Sequence, residues 1–329
     1  MGITISVPER FEKDTIGPLF SELDKHSNEY DVCIDFSKLR YSYPTSMLVA
    51  GSKLRDWVDA RVQKGLIQRR KGINSGINCH SYLMHLGFFD FIYMGEGNAV
   101  GEARGSSSYL PITRISRPSF DPFDQSISDW YEAIQSESKK LATVLSGNNQ
   151  EALTLFTYSI REIIRNVFEH SRATECYICG QRWWNGKVEV AIVDEGIGVA
   201  ATLKEAYEVK NDNLALEMAI TPGVSRVSSK SESANLFDNS GFGLYILSEI
   251  AAKYGWYTLG SCTGRLIGWE EFRNYDTFNF NGTFFGMQIN KPVQDFSSTL
   301  KEIIRAGEKQ SSKSGIEKKA SGASKLIEF

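Results

Sequence analysis

Strand-length apolar runs alternate with helical stripes over the first hundred residues. Residues 3–7 (ITISV) and 31–36 (DVCIDF) are short β-branched or apolar runs, and between them residues 15–26 repeat apolar positions at helical spacing. Pro44, Thr45 and Ser46 open a long amphipathic stretch to Lys64, in which Met47, Leu48, Ala50, Leu54, Trp57 and Val58 form a buried stripe. Thr45 is expected there as a plain helix cap. Residues 66–69 read as another strand and 78–86 as another helix, so residues 1–95 alternate β and α as a small α/β domain does.

Residues 95–108 hold four glycines and three consecutive serines, which is linker chemistry, and 96–108 is the expected boundary. Beyond it, residues 109–115 alternate like a strand and two long helical patterns cover 126–145 and 149–171. Strands at 176–184 and 187–193 flank Asn185-Gly186, the pair suited to the positive φ angles of a two-residue hairpin turn. A long polar segment then leads to a helix over 244–253, stopped by Gly255 as a left-handed C-terminal glycine, and to strands near 256–261, 265–269 and 284–289. The second domain, 109–292, is thus helices layered on one sheet. Residues 293–329 are expected to be a short helix and a disordered tail: 306–325 carry five Lys, five Ser and three Gly with one Ile, too little apolar surface to offset ordering entropy. Leu326, Ile327 and Phe329 are a candidate docking motif within that tail.

Composition removes several functions. The charge sum of 37 minus 40 gives −3, so no bulk positive field favours nucleic acid. No apolar run approaches the roughly 18 residues of a membrane span, and Glu9, Arg10 and Glu12 stand where a secretory leader would be apolar, so a cytoplasmic protein is expected. Five scattered cysteines are too few for a disulfide framework. Cys176 and Cys179 fall in one strand, whose period of two sends them to opposite faces and disfavours a shared metal or disulfide.

Four pieces carry candidate chemistry. In the helix running IREIIRNVFEH from Ile160, Glu162, Asn166 and His170 are spaced by four and share a face, with a drift of only about 40° per step. Asp194-Glu195-Gly196-Ile197-Gly198 follows a strand, placing a carboxylate before two glycines that let the backbone turn back closely. Asn239-Ser240-Gly241-Phe242-Gly243-Leu244 opens a helix, and a glycine-rich helix start presents free N–H groups to phosphate. Gly282-Thr283 precedes the last strand, where a hydroxyl is placed to reach a nucleotide.

In this order the four pieces resemble the GHKL ATPase superfamily over residues 109–290. The resemblance implies a two-layer α/β sandwich with ATP between helices and a mixed sheet, under a mobile lid. It implies that Asn166 holds Mg²⁺ against the phosphates, that Asp194 takes the adenine amino group, and that Gly241 and Gly243 contact phosphate. His170, Gly196, Gly198, Leu244 and Thr283 complete the implied nucleotide-binding set, and Glu162 matches the general base of hydrolase and serine-kinase members. The implied lid is 199–240, with serines at 225, 228, 229, 231 and 233 and with Arg226 and Lys230 available to a γ-phosphate.

Residues 1–95 are similar to a STAS domain, the fold of anti-sigma-factor antagonists. That family's regulated members carry Asp-Ser-Ser-Gly at the turn into the long helix; here Tyr43, Pro44, Thr45 and Ser46 stand there, so only two hydroxyls survive for phosphorylation. Of the four histidines, His26, His80, His85 and His170, none lies on the helix over 126–145, which disfavours histidine autophosphorylation in cis. The expected protein is therefore an Mg²⁺- and ATP-dependent regulator, a serine/threonine kinase of the anti-sigma-factor type or a slow ATPase. The alternative is a non-catalytic, ATP-gated interaction switch in a signalling, stress or antiphage system. A protein partner and a homodimer are compatible with either; nucleic acid and membrane are not expected.

Overall fold

The computed structural model describes residues 2–103, 106–118, 127–225, 240–314 and 318–325. Helices and strands are mixed throughout the chain. The first part runs β1 (Ile3–Ser6), β2 (Arg10–Phe11), α1 (Ile16–Lys25), β3 (Asp31–Asp35), β4 (Tyr41–Ser42), α2 (Pro44–Gln63), β5 (Ile67–Lys71), α3 (Asn78–His85) and α4 (Phe88–Phe91). The second runs β6 (Tyr109–Ser116), α5 (Ile127–Ser146), α6 (Gln150–His170), β7 (Glu175–Arg182), β8 (Val188–Asp194), α7 (Val199–Leu203), α8 (Asp212–Ala219), α9 (Gly243–Tyr254), β9 (Gly255–Trp269), β10 (Phe272–Ile289) and α10 (Phe296–Lys313). Strands β1, β3 and β5 form a parallel sheet in that order, with α1 and α2 as its crossovers. Strands β6-β7-β8-β10-β9 form a five-stranded sheet in which every pairing is antiparallel, so the mixed sheet implied by the family resemblance is not what this chain builds.

Both faces of the larger sheet are covered. Helices α5, α6 and α9 pack on one, over Ile178, Val190, Ile192 and Met287, and α10 packs on α6 and α9. Helix α2 packs on the other, so Cys179, Ala191, Val193 and Phe284 share a single core with Met47, Leu48 and Trp57. Double burial explains why β8 is apolar at nearly every position rather than alternating with polar residues. Cys176 and Cys179 do fall into these two separate cores.

Because the halves share a core, residues 96–103, expected as linker, are tied to both. The Asn98 N–H donates to the Met84 carbonyl at 3.0 Å, the Val100 N–H to Asp90 Oδ2 at 2.9 Å and the Gly101 N–H to the Ile112 carbonyl at 3.1 Å. The start of α2 is likewise set by the second half. Tyr43 occupies the N-cap position without a side-chain cap, Pro44 begins the helix, and the Thr45 N–H donates at 2.9 Å to Oε1 of Glu189 on β8. Glu189 is buried, which pushes its pKa up, while Thr45 and Gln288 supply hydrogen bonds to its two oxygens. Thr45 is therefore not the cap the sequence suggested. Its side chain lies against Gly286, where an added Cβ would come within 2.3 Å of Thr45 Cγ2.

Further expectations are corrected. The hairpin turn at Asn185-Gly186 places only Gly186 at positive φ (82°), with Trp183 N–H donating to the Lys187 carbonyl and Gly186 N–H to the Trp183 carbonyl. It is a three-residue loop whose glycine takes the left-handed position, rather than a two-residue turn. Gly255 ends α9 in extended backbone, φ 177°, not in the left-handed region, and glycine is needed there because a Cβ would lie 1.9 Å from the Gln288 carbonyl oxygen. The strands expected at 256–261 and 265–269 are one continuous strand, and β10 begins twelve residues before the expected 284, at Phe272. Residues 306–313, expected to be disordered, continue α10, whose Phe296, Leu300, Ile303 and Ile304 are buried in the helical-face core. A polar composition misled there because the helix is already anchored upstream at 296–304, and within 306–313 the buried positions are Gly307, which lies against Tyr245 and Phe242, and Ser311. Among the described residues no helix is long and apolar enough to cross a membrane.

Candidate functional site

Three elements meet between the helical layer and the five-stranded sheet. Helix α6 starts at Asn149, whose side chain accepts from the Ala152 N–H at 2.9 Å, and runs 21 residues, long enough to carry Glu162, Asn166 and His170 along one wall of a cavity. The sheet supplies the floor. Alternation in β8 points Val190, Ile192 and Asp194 to the helical face and Ala191 and Val193 to the α2 face. Helix α9 supplies the third wall with Gly241, Gly243 and Leu244 at its N-terminus. Thr283 is the register partner of Asp194 on β10 and also lines the cavity.

Of the residues selected from sequence, only Gly196 lies outside the lining, and it acts from behind. Its N–H donates to Asp194 Oδ1 at 2.9 Å, and an added Cβ would sit 2.3 Å from the Ser171 carbonyl oxygen. Gly198 has φ 79° and Gly241 has φ 77°, and at both a side chain would be strained. Gly282, φ 94°, lies at an irregularity in the β9–β10 register between Phe280 and Thr283 and lets β10 press on the end of β8: a Cβ there would lie 2.0 Å from the Asp194 carbonyl oxygen.

Asp194 is 3% exposed. Burial raises its pKa to about 7, against the lowering influence of hydrogen bonds from Gly196, Ser171 and Thr283. A further donor, such as a ligand amino group, would favour the ionised form that burial penalises. Asn166 has an unmet donor, since its Nδ2 is buried with no hydrogen-bond partner among the described residues. Gly243 keeps α9 close to α6, where a Cβ would meet Glu162 Oε2 at 3.0 Å and Asn166 Nδ2 at 3.4 Å.

Glu162 is less free than its place in the motif suggests. Its Oε1 accepts from Arg161 Nε at 3.2 Å and Nη2 at 3.1 Å and from Arg165 Nη1 at 3.2 Å, while Arg165 Nε also donates to Glu169 at 3.0 Å. All four side chains are buried. Only Oε2 faces Gly243 and the cavity. The sequence reading missed this ion-pair group, although Glu162, Arg165 and Glu169 stand at the i+3 and i+4 spacings that bring side chains together on a helix; Arg161, adjacent to Glu162, carries no such signal.

The first part of the expected lid is ordered by its own small core. Val199, Leu203, Val209, Ala215 and Val224 cluster, and Asp212 Oδ2 accepts from the Thr263 N–H at 2.9 Å, fixing α8 to β9. The Gly223 N–H donates to the Gly241 carbonyl at 3.0 Å, which joins the backbone on both sides of 226–239 at the cavity mouth, beside the lining residues Ser225 and Ser240. Arg226, Lys230 and the serines at 228, 229, 231 and 233 lie outside the described residues, as do Leu326, Ile327 and Phe329. No protein-family model, curated protein or solved structure matches the chain.

Proposed function

We propose that the chain is a nucleotide-binding regulatory protein of the GHKL kind, with an N-terminal STAS-like unit, that takes ATP together with Mg²⁺ in the cavity between α6, α9 and the five-stranded sheet. One observation carries the reading. A buried carboxylate whose ionisation is costly (Asp194), a buried amide N–H lacking an acceptor (Asn166 Nδ2) and a glycine-rich helix start (Gly241, Gly243) converge on one cavity from elements far apart in sequence.

The residues fit the proposed ligand chemically. Asp194 would accept from an adenine amino group, with Thr283 beside it in the ladder. The N-terminus of α9, with a backbone that can approach closely at Gly241 and Gly243, would receive phosphate oxygens. Asn166 would contribute one oxygen to Mg²⁺, which keeps most of its ligands as water and phosphate and needs few from protein; the bound ion would offset phosphate charge. In the enzymatic form of the proposal Glu162 accepts the proton of the attacking hydroxyl or water through Oε2, and the chain is a serine/threonine kinase or a slow ATPase.

A second reading has its own observation. With Oε1 of Glu162 already taken by two guanidinium groups of its own helix, the residue also serves to neutralise the buried Arg161 and Arg165, and a non-catalytic ATP-gated switch needs nothing more of it. Incubation with γ-labelled ATP and Mg²⁺ decides between them: label on protein identifies a kinase, free phosphate an ATPase, and binding without either the switch. Absence of binding as well as turnover removes both.

A further inference from the structure

The alternation that turns Asp194 toward the cavity turns the next residue the other way. Glu195 reaches α2, where Ser52 Oγ donates to its Oε1 at 3.2 Å and Arg55 Nε lies 3.5 Å from the same oxygen. Arg55 is itself fixed by aromatic rings from two other elements and the segment after α4: its guanidinium carbon is 4.5 Å from the Phe91 ring centre, 4.8 Å from that of Tyr177 on β7 and 5.2 Å from that of Tyr93. One turn beyond Ser52, Asp56 Oδ1 accepts at 3.1 Å from Nδ2 of Asn281, which immediately precedes the Gly282 that presses on the Asp194 backbone. Positions 52, 55, 56 and 59 lie on one face of α2, and Asp59 closes the set by accepting from the Tyr93 hydroxyl at 2.9 Å.

We propose that α2 is part of the nucleotide site: Arg55 is a positioning residue that holds Glu195, and through the shared backbone sets where the Asp194 carboxylate stands. The N-terminal half then acts on ligand affinity from the far side of the sheet, without touching ligand, and anything that shifts α2 shifts the site. The contacts stand by themselves; their consequence for affinity rests on the nucleotide reading above. Because the Glu195 side chain is about one-third exposed, the ion pair is worth a modest amount, and the expected effect is correspondingly at most about fivefold in affinity.

The test uses the full chain as Arg55→Ala, Arg55→Lys, Glu195→Gln and the Arg55→Ala/Glu195→Gln double variant, with two readouts: hydrogen exchange of residues 195–198 without nucleotide, and calorimetric affinity for ATP with Mg²⁺. Arg55→Ala and Glu195→Gln should each speed exchange at 195–198 while β1 and β3 keep wild-type protection, and each should weaken ATP. The double variant should be no worse than Arg55→Ala alone, and Arg55→Lys, which keeps a cation among the rings, should recover most of the loss. A general structural role would instead speed exchange across β1 and β3 as well, and would overturn the proposal. Unchanged exchange at 195–198 in both single variants, or losses in the double variant that multiply, would overturn it too, whether or not ATP binds. Faster exchange confined to 195–198 in a chain that binds no ATP would uphold the link from α2 and remove the nucleotide reading instead.

Discussion

Asp194 and Thr283 face each other across the antiparallel β8–β10 ladder, and the register irregularity in β10 just before Thr283 lies against the Asp194 carbonyl with no room for a side chain at Gly282. The carboxylate is thus fixed from its own strand, from the neighbouring strand and from the Gly196 N–H, in a place where ionisation is costly.

That cost gives a pH signature. With its pKa raised by burial to about 7, Asp194 is largely neutral at pH 6 and ionised at pH 8. An ionised acceptor binds an amino donor more strongly, so ATP affinity should fall between pH 8 and pH 6, and Asp194→Asn should flatten that dependence. Calorimetry at three pH values checks it; a wild-type profile no steeper than the variant's contradicts it.

The same shift bears on stability without ligand. An acid whose folded pKa lies above its unfolded value of 3.8 holds more protons when folded, so its ionisation destabilises the fold fully above about pH 7 and not at all near pH 3.8. Asp194→Asn should therefore stabilise the ligand-free chain at pH 8, by on the order of a few kcal/mol, and the advantage should shrink steadily as pH falls through that window. Thermal unfolding of both chains across the window measures it; a gap that widens toward low pH would show the sign to be wrong.

Glu162 and Asn166 should separate. Glu162→Gln keeps a hydrogen-bond acceptor toward Arg161 and Arg165 and should preserve ATP binding; in the enzymatic form of the proposal turnover drops about 10²- to 10⁴-fold. Asn166→Ala should remove the Mg²⁺-dependent part of binding and leave the remainder. Equal binding by wild type and Asn166→Ala, with and without Mg²⁺, would refute the metal assignment.

The shared core has a thermodynamic consequence. Leu48 on α2 is completely buried in the core that also holds Ala191, Val193 and Phe284, so the two halves should unfold together. Leu48→Ala should cost about 2 to 5 kcal/mol and lower one transition that spans the whole chain. Two calorimetric transitions, with only the first moved by the substitution, would mean that the halves are independent.

Much of this arrangement is legible in the sequence where the signal is local. The four-residue spacing of Glu162, Asn166 and His170, the carboxylate at the end of β8 and the glycines at 241 and 243 each depend on one element, and all but Gly196 of the chosen residues line one cavity. What stays hidden depends on partners distant in the chain. Thr45 looks like a cap because its true partner, Glu189, is 144 residues away. The tail reads as disordered because its own residues are small and polar, whereas the apolar anchors of α10, Phe296, Leu300, Ile303 and Ile304, precede it. Residues 96–103 read as linker because small residues suit a flexible segment and a tightly packed one equally well.

The most direct test of the central claim is a calorimetric titration of the full chain with ATP and Mg²⁺ at pH 8, repeated with GTP and with Asp194→Asn. The account expects one site per chain, weaker binding of GTP because its ring presents an acceptor where adenine presents the amino donor, and an affinity for ATP about one to two decades lower in the variant, the loss of a hydrogen bond to a charged group being worth roughly 1.5 to 3 kcal/mol. No heat of binding in the wild type, or an affinity unchanged by Asp194→Asn, would contradict it.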